Sequence, residues 1–131
     1  MSLLRDDSRW PVVVDAPRGQ LTDNDLRHYN ETRGERLARA ERHVQVMDGR
    51  SGVRMSSRHR GMIVAFDRQN REAQRRYLAG VALVTTSPAL RVLLTAIYRL
   101  TPSVCPRKAF KNLDEATFWA RGLLGDSPSA S

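Results

Sequence analysis

Two serines in tandem, Ser56 and Ser57, followed at once by Arg58 and then Arg60, are the best-placed residues in this chain to bind or carry an anion. Serine hydroxyls at a helix start accept backbone N–H groups, and the unpaired amides and dipole there favour negative charge. A phosphoserine at that place would find arginines at hand. Three uses are therefore open: a simple N-cap, an anion site at Ser56, Ser57 and Arg58, or regulatory phosphorylation. The surrounding segment, Arg50 to Arg76, holds eight arginines against two acidic residues. At about 100° per residue, Arg60, Arg68, Arg71 and Arg75 share the face opposite an apolar stripe of Met62, Ile63, Phe66, Ala73 and Tyr77. With Arg54 from the preceding loop, they form a candidate partner-binding surface. A solvated helix face, an acidic protein partner and nucleic acid remain alternatives, in that order. The chain's eight aromatics fall mostly at core positions, which weakens the nucleic-acid reading.

Other reactive residues do not assemble into a signature. Asp48 ends a strand beside a glycine-containing loop, where α/β folds place carboxylates, and His59 could pair with it; a turn role for Asp48 is the simpler reading. His28 and His43 have no ligand spacing. Cys105 stands alone, so neither an internal disulfide nor a zinc site is expected, and no metal or other cofactor is predicted. The expectation is a chain that is not an enzyme.

A length of 131 residues suits one domain, expected over 1–124, with 125–131 as a small, polar, disordered tail. The composition, 40% apolar and 27% charged, is that of a soluble globular protein. No apolar run reaches the roughly 20 residues of a membrane span, and residues 1–7 carry no apolar signal core. Cytoplasmic residence without membrane insertion is expected. The net charge of +8 comes from 22 basic residues, of which only Lys108 and Lys111 are lysine. Arginine suits phosphate and carboxylate recognition, whereas a GC-rich genome produces the same skew with no partner at all.

Strand and helix patterns alternate four times. Trp10 to Asp15, with Val12, Val13 and Val14 in succession, predicts a strand covered on both faces. Thr22 caps a helix over about Asp23 to Ala40, with Glu31, Arg33, Glu35, Arg36 and Arg39 on its outer face. His43 to Asp48 is the second strand and Gly49 to Met55 a loop. One helix then runs from Ser56 or Ser57 to Tyr77 and is ended by Gly80. Val81 to Thr85 reads as a central strand, and Ser87-Pro88 starts a helix ending at Thr101-Pro102. Arg107 to Lys111 is a short fourth strand, and Asn112 or Asp114 caps a last helix with Ala116, Trp119, Ala120 and Leu123 inward. The order predicts helices packed on a mostly parallel sheet.

Four places give the chain a family likeness: Gly19-Gln20-Leu21-Thr22 with Asp25, Val44 to Asp48 with its glycine loop, Gly80-Val81-Ala82-Leu83-Val84, and Leu113-Asp114-Glu115-Ala116 with Trp119. On these the chain resembles the SpoIIAA-like family, single-domain relatives of STAS domains. The resemblance implies a βαβαβαβα sandwich with about four strands, and a non-enzymatic role in bacterial signalling through protein contacts. In bacterial STAS antagonists of anti-sigma factors, a serine at the start of the helix after the second core strand is phosphorylated. Ser56 and Ser57 occupy that place here, in the sequence Met55-Ser56-Ser57-Arg58 where the family usually has Asp-Ser-Ser-Gly.

The leading expectation is thus a regulatory module that docks on an acidic protein. The alternative is a domain for a small apolar or anionic ligand, held in a crevice between the Met62 to Tyr77 and Leu90 to Leu100 helices. Val92, Leu94, Ala96 and Tyr98 widen the apolar face there, which equally suits deep burial or a homodimer contact. An enzyme using Asp48 and His59 is a third hypothesis.

Overall fold

The computed structural model describes residues 3–100 and 104–125. The expected tail, from 126 onward, and the helix end at Thr101-Pro102 lie outside the described residues, as do the side chains of Leu94, Ile97, Tyr98 and Leu100. Twelve elements follow in order: β1 (Leu3–Asp6), β2 (Val12–Pro17), β3 (Gly19–Gln20), α1 (Asp23–Ala38), β4 (His43–Asp48), β5 (Val53–Arg54), α2 (Ser57–Gln69), α3 (Arg71–Tyr77), β6 (Leu78–Val84), α4 (Pro88–Leu100), β7 (Arg107–Phe110) and α5 (Leu113–Leu123).

The main sheet runs β1-β2-β4-β6-β7, parallel throughout except for antiparallel β1. The four parallel strands are those expected from the sequence. Strand β1 is an addition: only Leu3 of it is buried, so no apolar alternation advertises an edge strand in that stretch. A two-residue parallel pairing of β3 with β5 is a further addition, its second strand lying within the segment read as a loop.

Because strand residues alternate between faces, each strand feeds two cores. Leu83 joins Leu26, Tyr29, Ile63, Val64 and Leu90 under α1, α2 and α4. Val12, Val44, Val46, Ala82 and Val84 join Ala116 and Ala120 beneath α5 on the opposite face. Continuous valines in β2 are accordingly covered on both sides, as predicted.

Three expectations fail for physical reasons. The long second helix is two, α2 and α3, separated at Asn70, whose side-chain amide donates to the Phe66 carbonyl at 3.0 Å while its own N–H takes the same acceptor at 2.9 Å. Asparagine competes in this way with the helix ladder. Gly80 does not end a helix; it lies inside β6, where an added Cβ would collide with Leu123 Cδ1 and sit 3.3 Å from the Pro106 carbonyl oxygen. Arg33 and Arg36 do not belong to the outer face of α1. Both are buried, for reasons given by their partners below.

Candidate functional site

Helices α1 and α2 begin side by side. A reciprocal cap starts α1: the Thr22 hydroxyl accepts from Asp25 N–H at 3.1 Å and the Asp25 carboxylate accepts from Thr22 N–H at 2.8 Å. Ser56 starts α2 by accepting the His59 N–H at 3.1 Å. The first turn of α2 contains no acidic residue, and Asp23 of α1 supplies the missing charge from alongside. Its carboxylate takes Arg58 at 3.0 Å and His59 Nε2 at 2.8 Å. An ionised carboxylate only accepts, so Nε2 carries the proton in this contact. The hydrogen bond from His59, helped by Arg58, holds Asp23 below the usual carboxylate range.

Of the predicted anion residues, Ser56 is committed to its cap. Ser57 is exposed and receives Arg60, whose guanidinium donates to its hydroxyl at 2.8 Å. Arg58 is exposed and paired with Asp23. These four side chains, with Asp23 and His59, form one polar cluster where the helices start.

The predicted partner surface is spread over two helices and a strand. Arg54 on β5, Arg68 on α2, and Arg71, Arg75 and Arg76 on α3 are exposed, while Arg60 is half-buried. Arg75 and Arg76 both reach Glu72, at 3.2 Å and 3.7 Å. Exposed pairs of this kind contribute only about 0.3–0.5 kcal/mol, so a partner's carboxylates can replace them at little cost.

Asp48 and His59 do not form the pair that an enzymatic reading requires. Asp48 takes Arg50 Nε at 2.9 Å and Nη2 at 2.8 Å, which keeps its carboxyl below the usual range, while His59 faces Asp23. Burial pushes the Cys105 thiol up to about 11, away from thiolate reactivity at neutral pH. Among the described residues there is no group of three or more His, Cys, Asp or Glu able to hold a metal ion. No helix among them is long and apolar enough to cross a membrane.

A buried polar layer between α1, α2, α3 and the sheet is what the sequence reading missed. Arg36 holds Asp15 through two bonds, at 2.7 Å and 2.8 Å, and Asp7 at 2.7 Å. Gln45 donates to Asp15 at 2.8 Å and contacts the Tyr29 hydroxyl at 2.7 Å. Arg33 pairs with Asp67 at 2.7 Å, lies over the rings of Tyr29 and Phe66, and Gln74 adds a bond to Asp67 at 3.0 Å. The signal was present in the spacing. Arg33 falls four residues after Tyr29 and four before Leu37, and Asp67 four after Ile63, so both occupy core-facing stripe positions that only paired charges can fill.

The crevice expected for a ligand corresponds to a cavity of about 70 Å³ between these helices and the sheet, bordered by Leu26, Tyr29, Met47, Ile63, Leu90 and Cys105. That is well below the roughly 300–1,000 Å³ of ordinary small-molecule pockets.

No protein-family model and no curated protein matches the chain. Solved structures do. An uncharacterized protein of the DUF3478 family with a SpoIIAA-like fold, from Shewanella loihica PV-4, matches with a TM-score of 0.66 at 15% identity, over 90% of this chain and 91% of that one. An anti-sigma factor antagonist from Mycobacterium paratuberculosis matches with a TM-score of 0.56 at 18% identity, over 91% and 92%. The anti-sigma factor antagonist SpoIIAA in its unphosphorylated form matches with a TM-score of 0.58 at 12% identity, over 88% and 93%. The mixed sheet with helices on both faces, and these matches along nearly its whole length, show that this chain has the SpoIIAA-like fold.

Proposed function

We propose that this chain is a non-enzymatic regulatory module that works by docking on an acidic protein partner, with Arg54, Arg58, Arg68, Arg71 and Arg75 as the contact surface. The observation that carries this reading is the exposure of those arginines on β5, α2 and α3, beside a helix start that has no acidic residue of its own in its first turn. Two of the structural neighbours are anti-sigma factor antagonists, which supports a regulatory role of this kind. Arginines steer an acidic surface into register and their planar forks fix its carboxylates, so charge here governs association rate and partner choice.

Ser57 is the regulatory position in this reading. Its hydroxyl is exposed and already faces Arg60, whereas Ser56 is engaged as the cap. A phosphate on Ser57 would draw in Arg60 and Arg58, release Asp23, and remove positive charge from the docking surface.

The test is capture from lysate of the native host at low and physiological salt, with captured proteins identified by mass spectrometry. The intact protein is compared with a Arg68→Glu/Arg71→Glu/Arg75→Glu variant whose fold is checked by circular dichroism. An acidic protein retained by the first and lost by the second is the expected result. Equal capture by both would refute the docking surface.

A further inference from the structure

The two faces of the sheet are unequally covered. Helices α1, α2 and α4 pack on one, whereas α5, with 11 residues, is the helix packed on the other. A helix of that length is about 16 Å long and about 10 Å across, while five strands spaced by about 4.8 Å span roughly 20 Å. Beside α5, toward the sheet edge at β7, lies an open groove floored by Phe110, Trp119 and Leu123. The Phe110 and Trp119 rings are 5.5 Å apart and tilted, and Phe118 stands on the rim with 72% of its surface exposed. A large exposed aromatic next to an apolar groove marks a contact surface. Among the described residues, strand β7 is also the last in the sheet, with no other strand on its outer edge.

The charges around this groove indicate what covers it. Two chains of net charge +8 repel over most orientations. The groove is different, because Lys108 of β7 and Asp114 and Glu115 of α5 all line it. Lys108 Nζ lies 5.5 Å from the centre of the Phe110 ring, which keeps the cation at the groove wall. A protruding ring beside an open apolar groove, and a cation beside two anions, are both self-complementary under a two-fold axis, where residue i meets j and j meets i.

We propose that the α5–β7 groove is the interface of a homodimer. Phe118 of each copy enters the Phe110–Trp119–Leu123 groove of the other, and each Lys108 faces the other copy's Asp114 and Glu115. The arginine-bearing helix α2 packs on the opposite face of the sheet, so the dimer would present two docking surfaces outward. This inference does not depend on the proposed function.

Sedimentation of the whole protein, from micromolar to near-millimolar concentration at low salt, tests it. The intact chain is expected to convert from monomer to dimer over that range, and Phe118→Asp to weaken association by at least about tenfold, as loss of a central aromatic anchor does. A charge exchange locates the face. Lys108→Glu alone and Asp114→Lys/Glu115→Lys alone should each stay monomeric, because like charges then meet across the axis. Their equimolar mixture should dimerise, because both contacts regain opposite signs. Circular dichroism verifies that each variant is folded. A monomeric intact chain at every concentration overturns the proposal, as does a dimer insensitive to Phe118→Asp or a mixture that fails to reassociate.

Discussion

Replacing Arg36 by methionine removes the charge from the most deeply buried guanidinium while keeping much of its apolar stem. Arg36 is 1% exposed, as is its partner Asp15, and it also binds Asp7. Burial by itself disfavours the charge on Arg36, but the two carboxylates outweigh this and raise its pKa above the ordinary arginine value. In the variant Asp7 keeps Arg5 at 2.8 Å, so the carboxylate left without a cation is Asp15, supported only by the neutral Gln45 amide. Stranding one member of a buried pair costs about 3–5 kcal/mol. A chain of this length has a total stability of roughly 7–20 kcal/mol at the usual 0.05–0.15 kcal/mol per residue. The loss is therefore a large fraction of the whole, and corresponds to a fall in Tm of roughly 10–20 °C. Thermal and urea unfolding followed by circular dichroism at neutral pH measure it. Arg36→Met/Asp15→Asn should recover most of the loss, since no uncompensated charge remains in the core. A single substitution costing less than about 1 kcal/mol, or a double no more stable than the single, would refute the account of a buried charge held by its counter-ions.

Acidification should destabilise the fold in two steps. Burial, above all, holds the His43 imidazole below its ordinary value, so the unfolded chain accepts a proton that the folded chain resists. Stability is fully present above about pH 6.5 and is lost as pH falls from there toward the folded value. His43→Phe, which retains a ring against Trp10, should abolish this first step in a pH series of urea midpoints. The second step lies in the carboxylate range. Arg50 lowers Asp48 and His59 lowers Asp23, while for Asp7 the guanidiniums of Arg36 and Arg5 outweigh the opposing effect of burial. Their contribution is present above about pH 4 and disappears below it. Gly80→Ala should cost about 1–3 kcal/mol, because the Pro106 carbonyl is backbone and cannot move aside as a flexible side chain can; an unchanged urea midpoint would contradict that contact.

The elements with strong periodicity were legible from the sequence. His43 to Asp48 alternates and is bounded by turn residues, and it forms β4 over the same residues. Thr22 with Asp25 signals the start of α1, and Asn112 caps α5 by accepting the Glu115 N–H. Positions depending on long-range partners were not legible. Arg36 read as a solvated charge because a sequence does not reveal that Asp15 and Asp7 lie opposite it; for Arg33 the stripe position was readable, but its pairing with Asp67 on another helix was not. Likewise, Gly80 looks like a helix terminator until Leu123 and Trp119, some forty residues later, are placed over it. At the candidate site the serine cap and the exposed arginines were readable, since both follow from local spacing. Asp23 was not, because its role comes from two helices starting side by side, and for the same reason the carboxylate weighed as a possible partner for His59 was Asp48.

The order of strands in the sheet has a consequence for synthesis. Reading β1, β2, β4, β6, β7 across the sheet is also reading them along the chain, so each new strand adds to an edge already made. A chain emerging from the ribosome can therefore assemble the sheet progressively from one side, as short-range connections favour. The helix that covers Val12, Val44, Val46 and Val84 comes last among the elements of the described residues. Until α5 has emerged, the nascent chain carries one finished face and one bare, valine-lined face. Docking of α5 is therefore the step that takes this valine-lined face out of water, so its burial waits on the pairing of the strands beneath it.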